Sequence, residues 1–259
     1  MKLLANEIVA WLKDYAVKNK RKAFVVGVSG GVDSALVSTL CAMTELPTYV
    51  VILPCQSKID DTARGVKHIH WLQNKFGNIA YKKIDLTETY EAFEDATIVN
   101  FADALAYANA KSRLRMIALY QIATPIAGLV VGTGNKVEDF GVGFFTKYGD
   151  GGVDISPIAD LKKSEVRQMC RELDVLPELA EAVPTDGLWD DNRTDETQLG
   201  ATYEELEWAM TYAESPYPFS AGHRMTARQQ EVFNIYMQRH LSSRHKMNPI
   251  PTFNRLTFN

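Results

Sequence analysis

Apolar positions near the start of the chain recur at helical spacing. Leu4, Ile8, Trp11, Leu12 and Tyr15 share one face, which predicts an amphipathic opening helix. The pattern then changes: residues 23–28 are apolar at every position, and unbroken rather than alternating apolarity fits a strand covered on both faces. Residues 48–53, 79–84 and 129–132 are further strand candidates. Helical patterns lie between them over 33–44, 60–76 and an Ala-rich stretch at 101–122. This alternation predicts an α/β fold, a doubly wound, mostly parallel sheet with flanking helices, whose ligands sit outside the carboxyl ends of the strands. Beyond residue 163 the patterns are mainly helical, at 164–173, 203–214 and 226–241. The chain therefore reads as one domain over 1–259, an α/β core at 1–163 with a mainly helical C-terminal extension at 164–259 packed on it.

Composition narrows the class. With 46% hydrophobic and 23% charged residues, 16 Gly and 10 Pro, collagen-like, disordered and low-complexity chains are excluded. A net charge of −4 provides no overall basic footprint, so a nucleic-acid partner is not expected. No run approaches the roughly 18 apolar residues of a membrane span, and the charged N-terminus does not resemble a secretory signal. A cytoplasmic protein without a membrane partner is expected. Cys41, Cys55 and Cys170 lack metal or redox spacing and read as reduced thiols, Cys41 and Cys170 in the core and Cys55 partly exposed. His68, His70, His223 and His240 lack metal-ligand spacing and read as structural.

Chemistry first enters after the opening strand, in Gly27-Val28-Ser29-Gly30-Gly31-Val32-Asp33-Ser34. Two adjacent glycines let the backbone approach an anion, while the serines and the free N–H groups of the following helix supply donors. The stretch reads as a phosphate loop, although it matches neither GxxxxGK[ST] nor GxGxxG. A merely Gly-rich turn is the competing reading. Asp33 beside a phosphate makes sense mainly where a divalent cation bridges the two.

The S-G-G-x-D-S pattern resembles the loop of the ATP-pyrophosphatase family, with its adenine nucleotide alpha-hydrolase-like fold, which implies adenylylation of an acyl or carbonyl oxygen. Four further motifs look like NAD synthetases: the helix segment 109–116, the strand end 132–139 with 143–154, the segment 184–200, and Ser243-Arg244-His245-Lys246. The five stand in family order over about residues 24–250. One more residue separates Glu138 from the Phe144-Phe145-Thr146-Lys147-Tyr148 motif than in some members, so that turn should differ.

The resemblance implies an ammonia-dependent NAD synthetase. ATP adenylylates the nicotinic carboxylate of deamido-NAD+, and ammonia then displaces AMP. Asp33 and Glu138 would hold Mg2+; Thr133, Thr185 and Lys163 would contact ATP with the loop. Arg113, Lys147, Asp154, His245 and Lys246 would contact the dinucleotide, Arg113 across a homodimer seam. The glycines at 149–152 would order as a lid that excludes water. Asp154 is also the candidate for binding ammonium and taking its proton; the competing reading is a carboxylate that only orders its loop. Lys162 is the decoy for Lys163. Alternatives are the same reaction on nicotinic acid mononucleotide, a tRNA-modifying adenylyl transferase, which should carry basic or Cys-rich elements, and a non-catalytic adenine-nucleotide sensor. A chain of 259 residues leaves no room for a glutamine-hydrolysing domain beside this core, so free ammonia is the expected nitrogen source.

Overall fold

The computed structural model describes residues 1–97, 103–185, 187–189, 191, 193–215 and 225–253. Four strands, β1 (Ala23–Gly27), β2 (Thr48–Ile52), β3 (Ile79–Lys83) and β4 (Gly128–Val130), form a parallel sheet among these residues in the order β3-β2-β1-β4. The α/β class read from the alternation is the one observed.

The unbroken apolar strands have a direct cause. In β1, Phe24 and Val26 enter one core with Leu129 and Val131, while Val25 enters the opposite core with Val51 and Val130. Both faces of β1 are covered, so it carries no polar side chain, whereas β3 at the sheet edge ends on the exposed Lys82 and Lys83. One face carries α1 (Lys2–Lys18), α2 (Val32–Met43) and α3 (Ile59–Lys75); the other carries α4 (Thr87–Ala96) and α5 (Ala104–Ala123). The expected start of α5 at residue 101 lies outside the described residues, and the Asp103 side chain caps Leu105 N–H at 2.9 Å.

The later helices are α6 (Lys163–Glu172), α7 (Pro177–Ala180), α8 (Asp195–Leu199), α9 (Tyr203–Glu214) and α10 (Ala227–Met247). Val166, Met169, Cys170 and Leu179 join the core of β1 and α2, so α6 and α7 pack as part of the α/β layers. A separate cluster forms from Leu199, Leu206, Met210, Val232 and Tyr236 with Val137 and Val142. Helix α10 runs six residues beyond the expected 241, through Arg244, His245 and Lys246. Its end has no apolar stripe to read, but cations in a last turn are favoured by the helix dipole. No helix among the described residues is long and apolar enough to cross a membrane.

Residues Lys136–Val142, just before the Phe144–Tyr148 motif, form a π-helix in which Gly143 N–H donates to the Glu138 carbonyl. A π turn accommodates one residue more than an α turn, and such bulges concentrate at functional sites. Gly143 closes it at φ +64, where a Cβ would meet Ser243 Cβ at 2.2 Å.

Candidate active site

The loop after β1 is braced from inside. Ser34 Oγ donates to the Gly31 carbonyl at 3.0 Å and accepts from Ser29 N–H at 3.2 Å. Gly30 has φ +86, and a Cβ there would lie 2.4 Å from the Asp61 carbonyl oxygen. The loop thus packs directly on α3, where only glycine fits. Gly31 caps α2, whose first N–H groups lie at the carboxyl end of the sheet, the place for an anion.

Three chain segments meet at this edge. Lys163, the first residue of α6, places its Nζ 2.6 Å from Asp33 Oδ2 and 2.9 Å from Glu138 Oε1. Burial works against the charge on Lys163, which is only 3% exposed, but the two carboxylates outweigh it and raise its pKa. Lys162 points elsewhere and donates to Thr211 Oγ1 at 2.8 Å.

Two residues not singled out in the sequence complete the group. Asn135 is fully buried; its Oδ1 accepts from Glu138 N–H at 3.1 Å and its Nδ2 donates to Asp33 Oδ1 at 3.2 Å. Asn-x-x-Glu ahead of a helix resembles a capping box, a signal that was readable. Tyr203 donates its hydroxyl to Glu138 Oε1, and its ring lies under the Lys163 ammonium, 4.8 Å from Nζ to the ring centre. Burial, then the nearby carboxylates, push the Tyr203 hydroxyl far up in pKa, so it stays protonated.

Of these groups Asp33, Glu138 and Lys163 line a cavity of about 900 Å³. Gly27, Val28, Ser29, Gly31, Val32 and Asp33 line it, with Thr133, Glu138, Lys163 and Thr185. Arg113, Lys147, His245 and Lys246 line it as well. Arg113 Nε donates to the Lys147 carbonyl at 3.3 Å, whereas Arg115 turns to the Leu53 carbonyl at 3.1 Å, so the two arginines serve different places. Lys246 donates to the carbonyls of Gly143 and Phe145, tying segment 143–145 to α10. Gly30 and Ser34 brace the loop from behind and are not among the lining residues.

Asp154 is not among them either. Its Oδ2 accepts from Val130 N–H at 2.8 Å and its Oδ1 from Tyr120 at 3.1 Å, which ties residue 154 to β4 and α5. Asp150 lies on the wall instead. Its Oδ1 accepts from Ser112 Oγ at 2.8 Å and from Thr146 N–H at 2.9 Å. Desolvation by the surrounding walls raises its pKa, against the lowering by Ser112, Thr146 and Lys246.

The three thiols and His68, His70 and His240 are not among the lining residues, whereas His245 is. Cys55, expected to be partly exposed, is fully buried between β2 and α5, as are Cys41 and Cys170 in their own core. His68 is buried against Ser38 and His70 is exposed, as their divergent positions on α3 require. His240 bonds the Gly141 carbonyl at 2.7 Å. His223 and Asp186 lie outside the described residues.

The model of the family described as NAD synthase matches residues 4–250. A protein of Alkaliphilus metalliredigens named NH(3)-dependent NAD(+) synthetase is 39% identical over 212 residues, which are 78% of this chain and 83% of that protein. The structure of an NMN synthetase from Francisella tularensis matches with a TM-score of 0.83 at 35% identity, over 98% of both chains. An NH3-dependent NAD synthetase from Campylobacter jejuni matches with a TM-score of 0.75, again over 98% of both chains; at 22% identity that likeness concerns the fold.

Proposed function

Given that the chain belongs to the NAD synthase family, we propose that it converts the nicotinic carboxylate of deamido-NAD+ to the amide, using ATP and ammonia. The observation that carries this reading is the meeting of the phosphate loop, the Asp33–Glu138 pair and Lys163 on the wall of one cavity of about 900 Å³.

The residues fit a divalent cation. Asp33 and Glu138 already share one cation, the Lys163 ammonium, and Glu138 Oε2 has no hydrogen-bond partner among the described residues. Hard carboxylate oxygens suit Mg2+, and Asp33 and Glu138 would hold it. When bound, Mg2+ offsets negative charge on the phosphates. In the first step a carboxylate oxygen of the substrate attacks the α-phosphorus of ATP, and the bond to the departing pyrophosphate breaks. The N–H groups at the start of α2 and the Lys163 ammonium stabilise the charge that builds there. In the second step the ammonia lone pair attacks the acyl carbon, and the acyl–oxygen bond to AMP breaks. Ammonium must first lose a proton. We assign that proton to Asp150, because it is among the lining residues and Asp154 is not. The aromatic and glycine segment 144–152 covers the acyl-adenylate against water.

A homodimer fits the apolar surface of α5, where Leu105 and Ile117 are 54% and 57% exposed; sedimentation at micromolar concentration tests it. A cytoplasmic setting suits such an enzyme, and fractionation of cells that express it tests that.

The test is direct. Purified protein with ATP, Mg2+ and ammonium should form AMP, pyrophosphate and NAD+ from deamido-NAD+. The Francisella tularensis match at 98% of both chains favours one second reading, the same chemistry on nicotinic acid mononucleotide. The ratio of kcat/KM for the two substrates decides between them. Absence of AMP and amide with either substrate would refute the catalytic reading.

A further inference from the structure

Glu138 offers two oxygens, and the structure treats them differently. Oε1 accepts both the Lys163 ammonium, at 2.9 Å, and the Tyr203 hydroxyl. Oε2 has no hydrogen-bond partner among the described residues. A carboxylate fixed through one oxygen presents the other in a defined direction, which is how outer partners orient ligands at metal sites.

Tyr203 belongs neither to the sheet nor to the loop. It is the first residue of α9, 65 positions from Glu138. Its surroundings fix it. The Thr202–Glu205 capping box sets the start of α9, and Tyr203 N–H donates to Glu196 Oε1 at 3.0 Å. The ring is buried with 2% exposure, and its hydroxyl also lies 3.3 Å from Asp195 Oδ2. Its face supports the Lys163 ammonium. An aromatic hydroxyl held this firmly is a rigid strut from the helical cluster to the acid pair.

We propose that Tyr203 is a positioning residue for divalent-cation binding, holding Glu138 Oε1 so that Oε2 remains directed at the cation shared with Asp33. Its role deepens when the cation arrives. The Lys163 ammonium and a divalent cation compete for the same two carboxylates, so the hydroxyl is the neutral contact that keeps Glu138 in place whichever cation is present. This inference rests on the cation reading given above, and its test separates the two.

Calorimetry of ATP binding, with Mn2+ in excess and then with EDTA, yields a ratio of affinities that isolates the cation's contribution without turnover. Tyr203→Phe removes one hydroxyl and keeps the ring. The ratio is expected to fall about tenfold or more, while the EDTA affinity stays within about twofold. Tyr236→Phe, which removes the hydroxyl of another buried tyrosine, on α10, should leave both unchanged. On a Glu138→Gln background, Tyr203→Phe should have little further effect on the ratio. Should Tyr203→Phe fail to fold by near-ultraviolet circular dichroism, Asp195→Asn perturbs the same hydroxyl with the ring in place and should lower the ratio by a smaller factor. An unchanged ratio in the folded variant, or an equal loss with and without Mn2+, overturns the proposal. A wild-type ratio near one removes the cation reading itself, and the role of Tyr203 falls with it.

Discussion

Lys163 shows how one side chain decides the electrostatics of the site. Its ammonium lies between two carboxylates that would otherwise face each other with 16% and 15% of their side-chain surface exposed. Replacing it by Met leaves that pair uncompensated, a loss of about 3 kcal/mol for a buried ion pair robbed of one partner. Lys163→Met should therefore melt earlier in EDTA and recover with millimolar Mg2+, which thermal denaturation in the two buffers checks. Its pyrophosphate release should fall about a hundredfold, the usual cost of removing one donor to a developing negative charge. Asp33 was legible as a charge closing the phosphate loop, while Glu138 and Lys163 were singled out through the family resemblance. Asn135 was half legible, as a helix cap. Tyr203 was not, since its contact with Glu138 depends on how α9 docks rather than on any local pattern.

Helices α2 and α3 are joined by a buried polar contact that makes their packing sensitive to pH. Ser38 Oγ donates to the Ser34 carbonyl at 2.7 Å, so the contact of 2.9 Å with His68 Nε2 has the imidazole as donor. Burial lowers the His68 pKa from 6.5 to about 4, against a smaller opposing contribution from the α2 backbone. Between these values the unfolded chain binds a proton and the native protein does not, so stability falls as pH drops through that window. From pH 7 to pH 5 the loss should be about 2 kcal/mol from this residue alone. Urea unfolding at the two pH values measures it, and His68→Gln should remove that part of the slope; an unchanged slope would show that His68 is not its source. At this scale the sequence pattern located the strands and the longer helices, but it missed α4 and the short helices α7 and α8. It stopped short at α10, whose last turns carry Ser, Arg, His and Lys instead of an apolar stripe. The π turn at Lys136–Val142 was not legible, since no local pattern marks it.

For the whole molecule, the nitrogen source is the property most exposed to test. All three cysteines are fully buried, and desolvation raises the thiol pKa of each, with Cys170 pushed up to about 12. A thiol held protonated and out of reach is a poor nucleophile for glutamine. Amide formation by the purified chain should therefore be supported by ammonium and fall to background with glutamine alone, read by product chromatography. Substantial glutamine-dependent turnover would require a nucleophile that this arrangement does not provide.

The sequence by itself determined the α/β class, the order of strands and helices, the phosphate loop and the residues able to carry charge beside it. These follow from periodicity, from glycine's conformational freedom and from the chemistry of short segments, all local properties. Tertiary structure alone decided which of two adjacent lysines reaches the acid pair, because the start of α6 turns Lys163 inward and leaves Lys162 on Thr211. It decided that Asp150 lies on the cavity wall while Asp154 is bound to β4 and α5, and that Cys55 is covered. It also placed Tyr203 against Glu138. Each of those outcomes depends on distances between segments far apart in the chain, which packing sets and local pattern does not encode.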